Sequence, residues 1–242
     1  MIYAYYLLEI GAALALMSVL VLLLRGPFRK FWPLLGYVVW ELLGHAAVTS
    51  FDLVNTGAAT GANVEAGRWY ARLYWTNDVI VDVLRFLLVI LLTYKATAGG
   101  ARRIPIGRIL GGIVVAALVL PFLLFQWGPK PWPRTSWFNS TSELLNFGAA
   151  IMNLVLWAAL LADRKRDPQL AVVSVGLGVV VTGAAISYGF RHLVPLEAMF
   201  IPNIFLMLTQ LAGWAIWCRA FWPAQARRPA LDPAPGNAMP PA

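Results

Sequence analysis

The sequence has few of the residues that carry redox, metal and soluble-enzyme chemistry. Its 242 residues include one cysteine and two histidines, and charged residues make up only 12% of the chain. The single Cys218 cannot form a disulfide within the chain, and two histidines exclude zinc sites built from several imidazoles. A soluble domain carries about 25% charged residues. The composition therefore excludes an ordinary soluble globular protein.

Several motifs of catalysis and cofactor binding are also missing. The chain has no CxxCH for haem attachment, no glycine-rich phosphate loop before a helix and no GxSxG turn. Retinal binding needs a lysine in the last membrane span for the Schiff base. The last long apolar run of this chain, residues 198–222, contains no lysine. The sequence therefore excludes a retinal protein and predicts no cofactor.

Long apolar runs are what the chain has in abundance, since 60% of its residues are hydrophobic. A run of about 20 apolar residues is long enough to cross a bilayer as a helix. Seven such runs predict an all-α membrane protein, a bundle of seven transmembrane helices within residues 1–222. The predicted spans are residues 2–24, 31–54, 69–94, 109–127, 140–162, 169–190 and 198–222.

The positive charges alternate from one connection to the next. Of the 19 lysines and arginines, 13 lie in connections on one side of the predicted bundle and four on the other. Because cytoplasmic loops collect lysine and arginine, we predict an outer N-terminus and a cytoplasmic C-terminus. Residues 223–242 are rich in proline and alanine and predict a disordered cytoplasmic tail. The basic residues form no stripe, which argues against nucleic acid.

Charged residues in the middle of the third span are the clearest indication of a site. Asp78, Asp82 and Arg85 fall within about 60° of one another on a helix. Charge in hydrocarbon is costly, so such residues face the protein interior and one another. The second span adds Glu41 and His45 at about the same depth, and consecutive helices are usually neighbours. We therefore predict a buried polar cluster between the second and third helices.

Three interpretations of this cluster remain open. With Arg72 included, three carboxylates face two arginines and one histidine, which suits a neutral ion-pair network that fastens the helices together. A proton or polar-solute path is the second, and it would add Asp52 as a relay position. The third is a metal site. Arg85 would compete with a metal ion for the same carboxylates, so no metal is predicted. Its candidate ligands would be Glu41, His45, Asp78 and Asp82.

Polar residues in the later spans have simpler explanations. Side-chain amides inside membrane helices commonly form hydrogen bonds between helices. The stretch STSE at 140–143 matches a capping box, which predicts that the fifth helix begins at Ser140. The predicted interhelical partners are Asn146, Asn153, Asn203 and Gln210.

Two segments resemble uncharacterised bacterial proteins with seven transmembrane helices. They are Trp75-Thr76-Asn77-Asp78 in the third span and the stretch WFNSTSELLNFG at 137–148. The resemblance implies a multi-pass protein of the bacterial inner membrane, and it carries no activity.

The leading functional hypothesis is a receptor-like or accessory membrane protein that acts through a protein partner or as a homo-oligomer. It rests on a buried polar cluster without an output domain or a known catalytic set. The alternatives are a small proton-coupled transporter and an intramembrane metal-dependent enzyme, and an enzyme is the less favoured class.

Overall fold

The structure is a computed structural model that describes residues 2–56, 64–97, 108, 111–116, 119, 123, 135–162, 167–191 and 193–222. These residues form helices and no strand, which confirms the all-α prediction. A short 3-10 turn, Leu196–Ala198, precedes the last helix, and residues 111–116 are the described part of α4. The other helices are α1 (Ile2–Arg25), α2 (Trp32–Thr56), α3 (Val64–Thr97), α5 (Thr135–Ala162), α6 (Pro168–Arg191) and α7 (Phe200–Phe221).

Four of these helices are long and apolar enough to cross a membrane. They are Leu7–Arg25, Trp137–Ala162, Pro168–Arg191 and Phe200–Phe221, with mean hydropathies between 1.4 and 2.5. This finding indicates a multi-pass membrane protein. Helices α2 and α3, at 25 and 34 residues, have the length to span but carry the charged residues described above.

The described helices contact one another in a closed ring. In order around it, α1 packs on α2, α2 on α3, α3 on α5, α5 on α6 and α6 on α7, and α7 returns to α1. Helix α3 also touches α6 across the ring. Ile113 and Val114 of α4 pack against the same apolar core. The first and last helices are thus direct neighbours.

One end of this ring is the Arg25 end, named after the last residue of α1. There Lys30, just before α2, forms an ion pair with Asp167, just before α6, with 2.5 Å between Nζ and Oδ2. Lys95, near the end of α3, donates a hydrogen bond to the backbone oxygen of Lys30 at 2.6 Å. Gln169, in the first turn of α6, donates to a backbone oxygen in the last turn of α7 at 3.3 Å.

The opposite end is the Glu9 end, where α1 and α7 begin. Glu9 of α1 contacts His45 of α2. Arg191, the last residue of α6, donates to Asn203 in the first turn of α7, with 3.0 Å between Nη2 and Oδ1. Consecutive helices in these contacts therefore run in opposite directions, as the alternating spans predict.

Apolar side chains fill the interior toward the Arg25 end. Tyr37 and Trp217 are fully buried and lie edge to face, with ring centroids 5.9 Å apart. Phe31 and Phe221 make a similar contact at 5.4 Å. This half of the ring is closed by a continuous core. Its other members include Leu16, Val19, Leu23, Leu34, Val38, Leu88, Leu92 and Val173.

Helices α6 and α7 approach one another closely at two glycines. A Cβ atom at Gly176 would lie 2.9 Å from the backbone oxygen of Gly213, and one at Gly213 would lie 2.8 Å from that of Gly176. The indole nitrogen of Trp217 uses this proximity to donate to the backbone oxygen of Val173 at 2.9 Å. Small residues permit such contacts between membrane helices.

The predicted start of the fifth helix is wrong. Helix α5 begins at Thr135, so the stretch 140–143 lies inside it and Ser140 is helical. A capping box requires its first residue to lie outside the helical conformation. The polar residues of this stretch are therefore side chains on a helix face, and Ser142 is buried against the neighbouring helices.

Candidate functional site

Arg85 of α3 is the centre of the buried polar interior. Its guanidinium donates to Asp82 Oδ1 at 3.0 Å, to Glu41 Oε1 at 3.2 Å and to the hydroxyl of Tyr37 at 3.2 Å. Arg85, Asp82 and Glu41 are only 2%, 1% and 5% exposed. A buried arginine needs this number of acceptors because its charge has lost its hydration. The three charged residues form one unit that joins α2 to α3.

Each carboxylate of this unit keeps one buried oxygen without an aligned donor among the described residues. These atoms are Glu41 Oε2 and Asp82 Oδ2. Ser142 and Asn146 of α5 face Asp82, but the Asn146 amide donates to the backbone oxygen of Ser142 instead, at 2.8 Å. Buried polar atoms are usually satisfied. The unit can therefore accept further donors or a proton.

Asp78 lies one turn before Asp82 and faces α6. Tyr188 donates its hydroxyl to Asp78 Oδ2 at 2.5 Å. The guanidinium of Arg191 lies over the Tyr188 ring, 4.4 Å from its centroid, and reaches Asn139 of α5 at 3.5 Å. This group connects α3, α5 and α6 at the Glu9 end.

His45 pairs with a residue from the first helix. Its Nδ1 lies 3.2 Å from Glu9 Oε2, and both side chains are partly buried. The imidazole also meets the edge of the Trp214 ring, with centroids 6.3 Å apart. Glu9 therefore faces the interior of the ring.

These groups surround a cavity of about 210 Å³, which we call the polar cavity. Buried Glu41 and Arg85 form its inner end, whereas exposed Thr49, Tyr74 and Asn203 border it at the Glu9 end. Five helices contribute to its walls. The other lining residues are Glu9, Ala12, Gly44, His45, Val48, Asn77, Asp78, Val81, Arg191, Leu206, Met207 and Gln210.

The structure separates the predicted site residues into several groups. Arg72 is exposed on α3, and about 13 residues of helix, roughly 20 Å, separate it from Arg85, so it is not part of the buried cluster. The side chain of Asp52 lies outside the described residues.

Asn153 is buried between α5 and α6, with its amide against Gly178. Asn146 faces the Arg85 unit, and Asn203 and Gln210 line the polar cavity.

The four candidate metal ligands do not converge on one point. Glu41 is turned toward Arg85, His45 toward Glu9 and Asp78 toward Tyr188. The described residues contain no group of three or more histidine, cysteine or acidic side chains arranged for a metal ion.

Four residues of the site are missing from the sequence prediction, namely Glu9, Tyr37, Tyr188 and Arg191. A tyrosine in an apolar helix gives no signal by itself, and Arg191 follows the predicted sixth span, where it resembles a loop residue. Their roles depend on how the helices are rotated about their axes and, for Tyr188, on the contact between α3 and α6. The Glu9 charge within the first span and the Arg191 charge near a span end could have suggested partners inside.

Acidic groups outnumber basic groups in this interior. Among the described side chains, four carboxyl groups lie there with two arginines and one histidine, so neutrality of this set requires a shared proton or a bound cation even when the histidine is protonated. The groups are Glu9, Glu41, Asp78 and Asp82 on the acidic side, and Arg85, Arg191 and His45 on the basic side.

The two segments that carry the family resemblance meet in space. Trp75 of the first stacks on Phe138 of the second, with ring centroids 6.2 Å apart and planes inclined by 27°. No protein-family model, curated protein or solved structure matches the chain. The resemblance therefore stays a prediction.

Proposed function

We propose that this protein is a receptor-like membrane module that binds a small polar solute in the polar cavity and acts through a partner protein. The observation that supports this proposal is the shape and lining of the cavity. It extends from the Glu9 end to the buried Arg85 unit, and acidic, basic and amide side chains all face it. At about 30 Å³ per water molecule, the cavity volume of about 210 Å³ gives room for a solute the size of about seven waters.

The cavity is closed beyond the Arg85 unit, which favours binding over passage. The core of Tyr37, Trp217 and Phe31 fills the interior between that unit and the Arg25 end. A solute could therefore enter from one side and reach the centre of the ring. Because α1, α2, α3, α6 and α7 all line the cavity, a bound solute would favour one arrangement of these helices over another.

The need for a partner rests on the short connections of the chain. The longest connections between predicted spans, 55–68 and 95–108, are too short to fold into an output domain. A change in the helices would then be read at the surface by a second protein or a second copy.

We further propose seven spans in a bacterial inner membrane, with the Glu9 end outside. The support is the excess of cations at the Arg25 end, namely Arg25, Arg29, Lys30, Lys95 and Arg219, since cytoplasmic ends collect such residues. A reporter enzyme that is active only in the periplasm, fused after Trp222, should stay inactive. Activity of that fusion would contradict this orientation.

Ligand binding can be tested on the protein purified in detergent micelles. A panel of amino acids, polyamines and small sugars is screened for an increase in melting temperature. Any stabilising solute should lose its effect in Thr49→Trp, which fills the border of the cavity, and keep it in Thr97→Trp, the same change at the Arg25 end. Equal effects in both variants would contradict binding in the polar cavity.

The partner is tested separately by gentle purification from the native membrane, followed by mass spectrometry of co-purifying proteins. A monomer with no associated protein would contradict the accessory role. It would leave solute binding to be decided by the melting experiment.

Proton-coupled transport is the second candidate, and the excess of carboxyl groups favours it. A proton held among Asp78, Asp82 and His45 would neutralise the interior, and a moving proton is the basis of coupled transport. Liposomes with the reconstituted protein should then show flux driven by a pH gradient, and Asp82→Asn should abolish it. Identical traces for wild type and Asp82→Asn would contradict this alternative.

A further inference from the structure

A second cavity lies at the Arg25 end, apart from the polar cavity, and we call it the interfacial groove. It has a volume of about 610 Å³ and lies where α1 and α7 end and α6 begins. Its lining includes Leu22, Arg25, Gln169, Val172, Arg219 and Trp222.

The groove is basic. Arg25 and Arg219 both line it and are exposed, and neither makes a hydrogen bond or ion pair with the described residues. Its described lining contains no acidic side chain. Asp167, the neighbouring acidic residue, is paired with Lys30 at 2.5 Å. Two guanidinium groups thus line the groove with no counter-charge among the described residues, and guanidinium binds phosphate oxygens through paired hydrogen bonds.

The position of the groove relative to the apolar helices identifies its level in the membrane. The spans Leu7–Arg25 and Phe200–Phe221 end at the groove, and Pro168–Arg191 begins there. The boundary between hydrocarbon and water therefore passes through it, at the depth of lipid headgroups. Trp222, 64% exposed at this boundary, is the side chain that commonly lies at headgroup level.

The walls below the arginines are apolar. Leu22 and Val172 line the groove from within the apolar spans of α1 and α6, and Gln169 is held in place by its hydrogen bond to a backbone oxygen of α7. A ligand that combines an anionic phosphate with an apolar chain matches both parts of this lining. Basic pockets between membrane helices on the cytoplasmic side bind the headgroups of acidic lipids in this way.

We propose that the interfacial groove binds one anionic phospholipid, with Arg25 and Arg219 holding its headgroup phosphate and with its acyl chain lying against Leu22 and Val172. The site is independent of the polar cavity, so it stands whether or not a solute binds there.

The probe is short-chain phosphatidylglycerol, added to the full-length protein after lipid removal in maltoside micelles, with binding followed by native mass spectrometry. Each arginine is expected to contribute about fivefold, so Arg25→Gln with Arg219→Gln should weaken binding about 25-fold. The matched control is Arg29→Gln with Arg108→Gln, which removes the same charge outside the groove and should change binding less than about twofold.

Three outcomes would overturn the proposal. Equal losses in the groove variant and the control would show a general effect of surface charge. Binding of phosphatidylcholine with the same affinity as phosphatidylglycerol would show no preference for an anionic headgroup. Displacement of the lipid by an equal concentration of inorganic phosphate would show a site for free anions. Arg25→Lys with Arg219→Lys keeps the charge and should retain most of the affinity, and melting curves check that every variant is folded.

Discussion

Tyr188 of α6 donates its hydroxyl to Asp78 of α3 across the ring, with 2.5 Å between Oη and Oδ2. These residues belong to helices that are far apart in the chain. The bond joins α3 to α6 at the edge of the polar interior.

Tyr188→Phe should lower the free energy of unfolding by about 1–3 kcal/mol, because it removes the donor and leaves the Asp78 carboxyl without it. The measurement is equilibrium unfolding in mixed micelles. Tyr94→Phe, the same change at an exposed tyrosine of α3, is the control and should have little effect. Adding Asp78→Asn to Tyr188→Phe should recover part of the loss; no recovery would show that the two residues act separately.

Arg85→Leu should destabilise the protein by about 3–5 kcal/mol, since two buried carboxylates would lose their cation. The double variant Arg85→Leu with Asp82→Asn should regain part of this loss, as one of the two charges is then removed. Arg108→Leu makes the same change at an exposed position and should be nearly neutral. Melting in detergent compares the three, and an Arg85→Leu protein as stable as wild type would contradict the buried ion pairs.

Gly176→Ala should weaken the packing of α6 on α7. The new methyl group would meet the Gly213 backbone oxygen at 2.9 Å and the Trp217 indole nitrogen at 2.5 Å, and overpacking of this kind costs about 1–3 kcal/mol. Gly36→Ala has open space around its Cβ atom and should stabilise α2 slightly through helix propensity. Opposite shifts in melting temperature are therefore expected, and a loss of stability in both would refute the packing argument.

Asp167 should make stability fall in acid. Burial alone would raise the pKa of its carboxyl, but the hydrogen bond from Lys30 and the backbone N–H groups of Leu170 and Gln169 lower the pKa below its usual value of 3.8. A lowered folded-state pKa stabilises the folded state above the unfolded value, and this contribution is lost as the pH falls through the folded value.

Asp167→Asn should therefore melt below wild type at neutral pH, with a difference that shrinks as the pH falls from about 5 toward 3. Lys30→Gln removes the partner and should show the same convergence. A difference that stays constant over this pH range would show that the ion pair is not its cause.

The sequence predicts the helices well because long apolar runs have one low-energy form in a bilayer. It also places Asp82 and Arg85 on one face, since residues three apart on a helix are neighbours. The depth of Glu41 in the preceding span then indicates its contact with Arg85. These inferences need only the geometry of one helix and of two consecutive helices.

The remaining parts of the site depend on contacts that no local pattern encodes. Glu9 meets His45, and Asp78 meets Tyr188, because of how the helices rotate and which ones lie across the ring. The start of α5 was misplaced because a favourable capping pattern occurs within a helix that begins earlier. Arg72 was included through a count of charges, which carries no information about depth.

The contact between α1 and α7 has a consequence for biosynthesis. A chain emerges from the ribosome in order, N-terminal part first, so α1 waits for its last neighbour until every other helix has been made. During that interval, the Glu9 contact with His45 of α2 is already available to hold α1 at the correct rotation. The arrival of α7 then closes the ring, and Trp217 fills the apolar half of the interior.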